Sequence, residues 1–385
     1  MSVYGKTEYC LWQTQIERLS KTEYCSGKQE LSVYGKTEYC SGKHKLSVCG
    51  RIEVTMAKPI FTGVIPPVVT LFDKSGRIDI KGNQLHAAFL IARGVNGLAY
   101  LGTTGEFGVM TLSEKCRFLS QMTEYSAGKV KVLAGVSDTC LANVLYMARQ
   151  CESMGVDGLL LLPPYFSVYS QEMLSAFFSH VAESTRLPII LYNFPALTGF
   201  CMEDQWVKAL IMKHRNIVGI KETVQDIPHI YSMLRLKEAR PDFSVFAAYD
   251  NQFWELMQGP AVDAVHSCET SLAHKSCFAI PEGSCPVDGF IHAAGNYAPE
   301  AAVAFYRAAG DGDLSKMRSA FRNILIGMKI YDESQPLFLA VKQAVYERTL
   351  GYEGGERLPG LPLDQEHKEN IRKIVSELIK GADDL

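Results

Sequence analysis

Eight short apolar runs, rich in valine, isoleucine and leucine, recur from residue 61 onward. They are FTGVIPPVV (61–69), GLAYLGTT (97–104), VKVLAGV (130–136), GLLLLPP (158–164), PIILYNF (188–194), IVGIKET (217–223), FSVFAAYD (243–250) and GFIHAAGN (289–296). Most are flanked by about fifteen residues of helical period, such as LSEKCRFLSQMTEYSAG and SQEMLSAFFSHVAEST. Strands that alternate with helices are joined by crossovers, so the sheet is expected to be parallel and covered on its faces. Eight such units predict an α/β fold, a (β/α)8 TIM barrel. An open doubly wound sheet is the alternative, but it usually has fewer strands, and no G-x-G-x-x-G follows the first run.

Two stretches break the pattern. Residues 1–55 repeat themselves, with SVYGKTEYC at 2–10 and 32–40 and KTEYCSGK at 21–28 and 36–43. They lack the apolar periodicity needed to bury a face and read as a low-complexity leader, a disordered tail or an artefact of the gene assignment. Met56, which opens MAKPIFTGVIPPVVTLF, reads as an alternative start. The second break precedes the eighth run, where the spacing between strand starts widens from roughly thirty to about forty-five residues. The excess, about 264–285, is irregular and is read as an insertion on the barrel face opposite the reactive end. Residues 56–298 thus make the barrel. Residues 299–385, helical in period and capped, should form its last helix and a C-terminal helical extension.

Composition narrows the partners. Lys and Arg total 39 against 42 Asp and Glu, a net charge of -3, which offers no basic surface for nucleic acid or anionic lipid. No apolar run reaches membrane-spanning length and the first residues are too polar for a signal peptide, so a cytoplasmic protein acting on small molecules is expected. Of the 11 cysteines, Cys10, Cys25, Cys40 and Cys49 fall in the leader and Cys268, Cys277 and Cys285 in the insertion. Cys116, Cys140, Cys151 and Cys201 remain, no C-x-x-C pair occurs, and reduced, mostly buried thiols are expected. The 9 histidines are scattered, and only His292 lies on a predicted strand, where it is expected to be packed or hydrogen-bonded. A metal-dependent aldolase would need clustered ligands at strand ends, so no catalytic metal is expected.

A barrel of this kind carries its reactive groups at the C-terminal ends of its strands. Three ends stand out: Gly102-Thr103-Thr104-Gly105-Glu106, Tyr192-Asn193 and Lys221-Glu222-Thr223. Lys221 closes an apolar strand. Loss of hydration there should lower its pKa from ~10.4 and supply the neutral amine that attacks a ketone. A lysine in an ion pair with a neighbouring strand is the plainer alternative. Tyr192 lies at equivalent depth one strand earlier, able to relay protons or simply to pack. The glycines of GTTGE permit a sharp turn whose amides and hydroxyls can surround a carboxylate.

Together, GTTGE, PPYFSVYSQE, LYNFPALTG, GIKET and GNYAPE resemble the dihydrodipicolinate synthase and N-acetylneuraminate lyase family, in order and spacing, from about Phe61 to Ile379. The resemblance implies that Lys221 forms a Schiff base, that Tyr192 is the proton donor, that Thr103 and Thr104 bind the keto-acid carboxylate, and that backbone at Ile291 closes the pocket. It also implies no metal or organic cofactor, and a homo-oligomer, tetramer or dimer. Two departures narrow the substrate. The synthases have a second tyrosine where Phe166 stands, and an arginine for the aspartate semialdehyde carboxylate where Leu197 stands. NFPALTG is similar instead to the 2-keto-3-deoxygluconate aldolase branch, whose second substrate is an uncharged aldehyde. Condensation of pyruvate with aspartate semialdehyde, and non-catalytic binding of a keto acid, stay as alternatives.

Overall fold

The computed structural model describes residues 58–258, 287–382 and 385. The leader at 1–55 and the insertion at about 264–285 lie outside the described residues. All eight apolar runs contribute strands: β1 (Gly63–Val64), β2 (Gly97–Tyr100), β3 (Lys131–Gly135), β4 (Gly158–Leu161), β5 (Ile189–Asn193), β6 (Ile217–Glu222), β7 (Ser244–Ala247) and β8 (Gly289–Phe290). They pair in parallel in the order β1-β8-β7-β6-β5-β4-β3-β2. β1 is far shorter than its apolar run because Pro66 and Pro67 have no N–H to give a ladder. The seam to β2 closes all the same, since the Ala99 amide donates to Pro66 O and the Val68 amide to Ala99 O, both at 2.9 Å. The chain is therefore a (β/α)8 barrel.

Between the strands run α1 (Ile80–Ala92), α2 (Leu112–Ser126), α3 (Leu141–Met154), α4 (Gln171–Glu183), α5 (Asp204–Lys213), α6 (Ile227–Leu234) and α7 (Phe253–Gln258). Their starts follow local chemistry. Thr111 and Glu114 form a reciprocal capping box on α2, and the side chains of Asp79, Ser170 and Asp226 accept from first-turn amides of α1, α4 and α6. After β8 come α8 (Pro299–Gly310), α9 (Leu314–Met328), α10 (Phe338–Val345) and α11 (Gln365–Ala382), the helical extension read from the sequence. No helix among the described residues is long and apolar enough to cross a membrane.

Alternation along the strands makes two apolar layers. Ile65, Ala99, Leu133, Leu160, Ile190, Val218, Phe246 and Ile291 fill the barrel, with Phe61 and Tyr192 among them. Ile189, Leu191, Ile217, Ile220 and Val245 face the helices. In β6 the alternation slips. Ile189 pairs with Ile217 but Ile190 pairs with Gly219, so Val218 is an extra residue, a bulge. The slip sets Lys221 opposite Tyr192, whose ring it approaches on the barrel side, and Glu222 opposite Asn193 on the helix side.

The seam is held by Asn296. Its Oδ1 accepts from the Val69 amide at 3.2 Å and from His86 Nε2 at 3.2 Å, while its Nδ2 donates to Pro67 O and Ala293 O. Because that nitrogen donates twice, the oxygen must accept, and Nε2 of His86 carries the hydrogen. His86 Nδ1 is then a buried lone pair with no partner among the described residues. Burial pushes the imidazole down to about 4, against the smaller opposing effect of the Asn296 bond. Between an unfolded value near 6.5 and about 4, the unfolded chain binds more protons, so stability falls as pH drops through that window. At ~1.4 kcal/mol per pH unit the loss is roughly 3 kcal/mol in all. Denaturant unfolding at pH 7.5 and pH 4.5 should show a smaller drop for His86→Gln, which keeps a donor for Asn296. Equal drops in both proteins would refute this.

Candidate active site

Lys221 and Tyr192 meet in the mouth of the barrel. Lys221 is 4% exposed and Tyr192 3%, and the Lys221 ammonium stands 4.0 Å from the centre of the Tyr192 ring. Among the described residues no carboxylate pairs with Lys221: the neighbouring Glu222 points to the other face of β6, toward Asn193 and His229. The ion-pair alternative therefore finds no partner there. The Tyr192 hydroxyl lies 3.3 Å from Thr103 Oγ1, which joins the second, fifth and sixth strand ends into one cluster. Phe194 stacks on Tyr192 at 6.0 Å, and Tyr249, at the end of β7, brings a second phenol near it. Burial first, then the neighbouring Tyr192, raise the Tyr249 phenol above its ordinary value, with a bond to Gln225 opposing.

The GTTGE loop earns its shape from two non-glycine residues in the left-handed region, Leu101 at φ 58° and Glu106 at φ 54°. Gly105 is needed between them because a Cβ there would stand 2.9 Å from Val68 O. Its amide donates to Gly102 O, and Thr70 Oγ1 donates to its carbonyl, so the turn is tied to the first strand's extension. Thr103 is half-buried and faces Tyr192, and Thr104 is buried beside it. Ile291 is fully buried in the inner layer, and its amide is already committed to Ala247 O at 3.0 Å, which leaves its carbonyl as the group it can offer.

Glu106 is buried and faces a cation that the sequence motif does not show. Lys342, on α10 and fully buried, places its ammonium 2.5 Å from Glu106 Oε1 and also against Glu356. Glu356 arrives on the strap 351–360, which the Gly355 amide fixes by donating to Phe72 O at 2.9 Å. Burial raises both carboxyls above the usual range, with Lys342 drawing each back. Arg357 on the same strap clamps Glu114, whose carboxyl it holds down to about 2. The C-terminal extension thus forms the wall that fixes the threonine loop.

Other polar groups stand behind the strands. Asn193 Nδ2 donates to Glu222 Oε2 at 2.8 Å, and the Met202 amide donates to Asn193 Oδ1 at 3.1 Å. The sequence sets Asn193 and Glu222 at strand ends without giving either a role, although the paired YN and KE at the ends of adjacent strands signal a buried polar pair. His292 is packed, as expected of a lone strand histidine, with Nδ1 2.5 Å from Asp250 Oδ1. Tyr331 donates to the other Asp250 oxygen at 2.9 Å. The expectation of mostly buried thiols needs correction. Of the four described cysteines only Cys151 is buried, Cys116 and Cys201 are intermediate, and Cys140 is exposed ahead of α3. At the rim, Phe166 is 99% exposed with φ 82°, and Leu197 is 56% exposed on the turn after β5.

A parallel barrel with such a lysine and tyrosine in its mouth defines an enzyme that works on a small molecule. The chain belongs to the dihydrodipicolinate synthetase family, whose family model matches residues 60–277 and 276–378, and members of that family are lyases. It is 32% identical over 317 residues to YjhH of Escherichia coli K12, provisionally assigned as a 2-dehydro-3-deoxy-D-pentonate aldolase, covering 82% of this chain and 97% of YjhH. YagE of the same strain, provisionally assigned as a 2-dehydro-3-deoxy-D-gluconate aldolase, is 30% identical over 83% of this chain and 97% of its own. The crystal structure of YagE in complex with pyruvate superposes with a TM-score of 0.73, covering 83% of this chain and 99% of that one. A 4-hydroxy-tetrahydrodipicolinate synthase of Thermotoga sp. RQ2 is 29% identical over 83% of this chain and 99% of its own.

Proposed function

We propose that this enzyme reversibly cleaves a 2-keto-3-deoxy sugar acid to pyruvate and an aldehyde through a Schiff base at Lys221. The observation that carries the reading is the desolvated Lys221 amine, unpaired among the described residues and set against Tyr192. The amine adds to the C2 ketone and water leaves, giving an iminium. Tyr192, joined to Thr103, gives its proton to the hydroxyl that leaves the carbinolamine as water, and the phenolate so formed takes the proton of the C4 hydroxyl as the C3–C4 bond breaks. The bonding pair moves into the iminium as an enamine, and the aldehyde departs. Protonation at C3 and hydrolysis then release pyruvate and free Lys221. Thr103, Thr104 and the Ile291 carbonyl hold the keto acid. The iminium is itself the electron sink, so the cycle calls for no metal or organic cofactor.

Leu197 favours the aldolase over the synthase, because an exposed leucine on the rim offers nothing to the carboxylate of aspartate semialdehyde. YjhH and YagE support the same choice. Exposed Phe166 and Val168 on the loop after β4 support a homo-oligomer, dimer or tetramer, and the reading as a whole fits a cytoplasmic enzyme. In sequence, residues 1–55 are read as a leader and about 264–285 as an insertion.

The test is borohydride reduction with pyruvate, followed by peptide mass spectrometry. A reduced pyruvate adduct on the Lys221 peptide is expected, and a folded protein that forms none would overturn the reading. Tyr192→Phe should lower kcat by about 10²- to 10⁴-fold with a small change in KM, since the ring under Lys221 stays while the proton carrier goes. Steady-state pyruvate release checks this, and a kcat within threefold of wild type would exclude Tyr192 as the carrier.

A further inference from the structure

On the side of β6 that Glu222 faces, three side chains of different ligand chemistry converge. A sulfur, a carboxylate oxygen and an imidazole nitrogen from Cys201, Glu203 and His229 all lie within 4.8 Å of one another. Cys201 and Glu203 come from the segment between the turn Pro195–Thr198 and α5, and His229 from the first turns of α6. Glu222 borders the cluster: its side chain is 0% exposed, its Oε2 is 3.5 Å from His229 Nε2, and its Oε1 has no partner among the described residues. A buried carboxylate oxygen left unbonded is costly, and a nearby cation would relieve it.

We propose that Cys201, Glu203 and His229 bind one thiophilic divalent cation of the zinc class, with the Glu222 carboxylate as its buried counter-charge. Mixed sulfur, nitrogen and oxygen donors select such an ion over magnesium or calcium, which take oxygen ligands. Glu203 is exposed, so the ion has a path from solvent, and an open fourth position is left for water. Cys201 would bind as the thiolate, its proton displaced to solvent as the ion enters. Bound there, the ion ties the segment behind Leu197 to the helix that follows Lys221. It lies on the opposite face of β6 from that amine, so it would hold the loop and take no part in the reaction.

The test is cobalt(II) titration of the full chain after chelator stripping, followed by absorbance and compared with Cys201→Ser, His229→Gln and Glu203→Gln. Wild type should show a thiolate-to-cobalt band that zinc displaces. Cys201→Ser should lose one thiolate-bearing equivalent. His229→Gln and Glu203→Gln should bind at least about tenfold more weakly, the loss that even outer-shell changes produce. A band at full intensity in Cys201→Ser would place the cobalt on other cysteines and overturn the proposal. So would unchanged affinity in Glu203→Gln, whose exposed side chain makes its folding a minor concern.

Discussion

Lys221→Arg should retain the wild-type fold and lose aldol cleavage by on the order of 10⁴-fold or more. Arginine keeps a cation over the Tyr192 ring, so any structural part of the 4.0 Å contact survives. It cannot deprotonate at working pH, and therefore cannot form the iminium. Lys221→Met, which keeps the apolar stem without the charge, should be equally inactive. Pyruvate release from a 2-keto-3-deoxy sugar acid, followed with a coupled dehydrogenase, measures both, and circular dichroism checks the fold. If Lys221→Arg kept more than a hundredth of wild-type kcat, the amine would be a structural cation and the chemistry would lie elsewhere.

The largest effect on stability should come from Lys342→Met. Lys342 is fully buried between Glu106, whose side chain is 1% exposed, and Glu356. Removing the cation leaves two buried carboxylates without it, a change that typically costs about 3–5 kcal/mol. The sign of the pH dependence follows from the acids. Burial already raises both carboxyls, and without Lys342 they rise further, so at lower pH they are neutral and the variant's deficit shrinks. Urea unfolding of the two proteins at pH 7.5 and pH 5 should therefore show a gap that narrows with acid, and Lys342→Met with Glu106→Gln should recover part of it. A gap under 1 kcal/mol, or one unchanged by pH, would mean that the wall is held by packing alone. Activity should fall as well, because Glu106 ends the loop that carries Thr103 and Thr104.

Much of this was legible in the chain. The eight apolar runs became eight parallel strands because hydrophobic period and βα alternation are local signals, and Lys221, Tyr192 and Thr103 came together because strand ends at equal depth share one face of a barrel. What stayed hidden is long-range or depends on parity. Lys342 reads as an ordinary cation of a helical segment, and only the fold carries it across to Glu106. Pro66 and Pro67 shortened β1 without opening the seam, since the Pro66 carbonyl and the Val68 amide still bond to Ala99 of β2. Cys140 precedes its helix and stays in solvent, which apolar context alone did not reveal.

The extra residue at Val218 bears on how such a centre is transplanted. Strict alternation counted from Ile217, which faces the helices, would turn Lys221 outward and Glu222 inward. The doubled step at Val218 and Gly219 reverses that outcome. Writing a lysine at the equivalent strand end of an unbulged barrel would therefore aim the amine into the helical shell unless the graft also carried the one-residue offset. Orientation in this centre is encoded by counting, and the unit to move is the whole of β6 together with its partner β5.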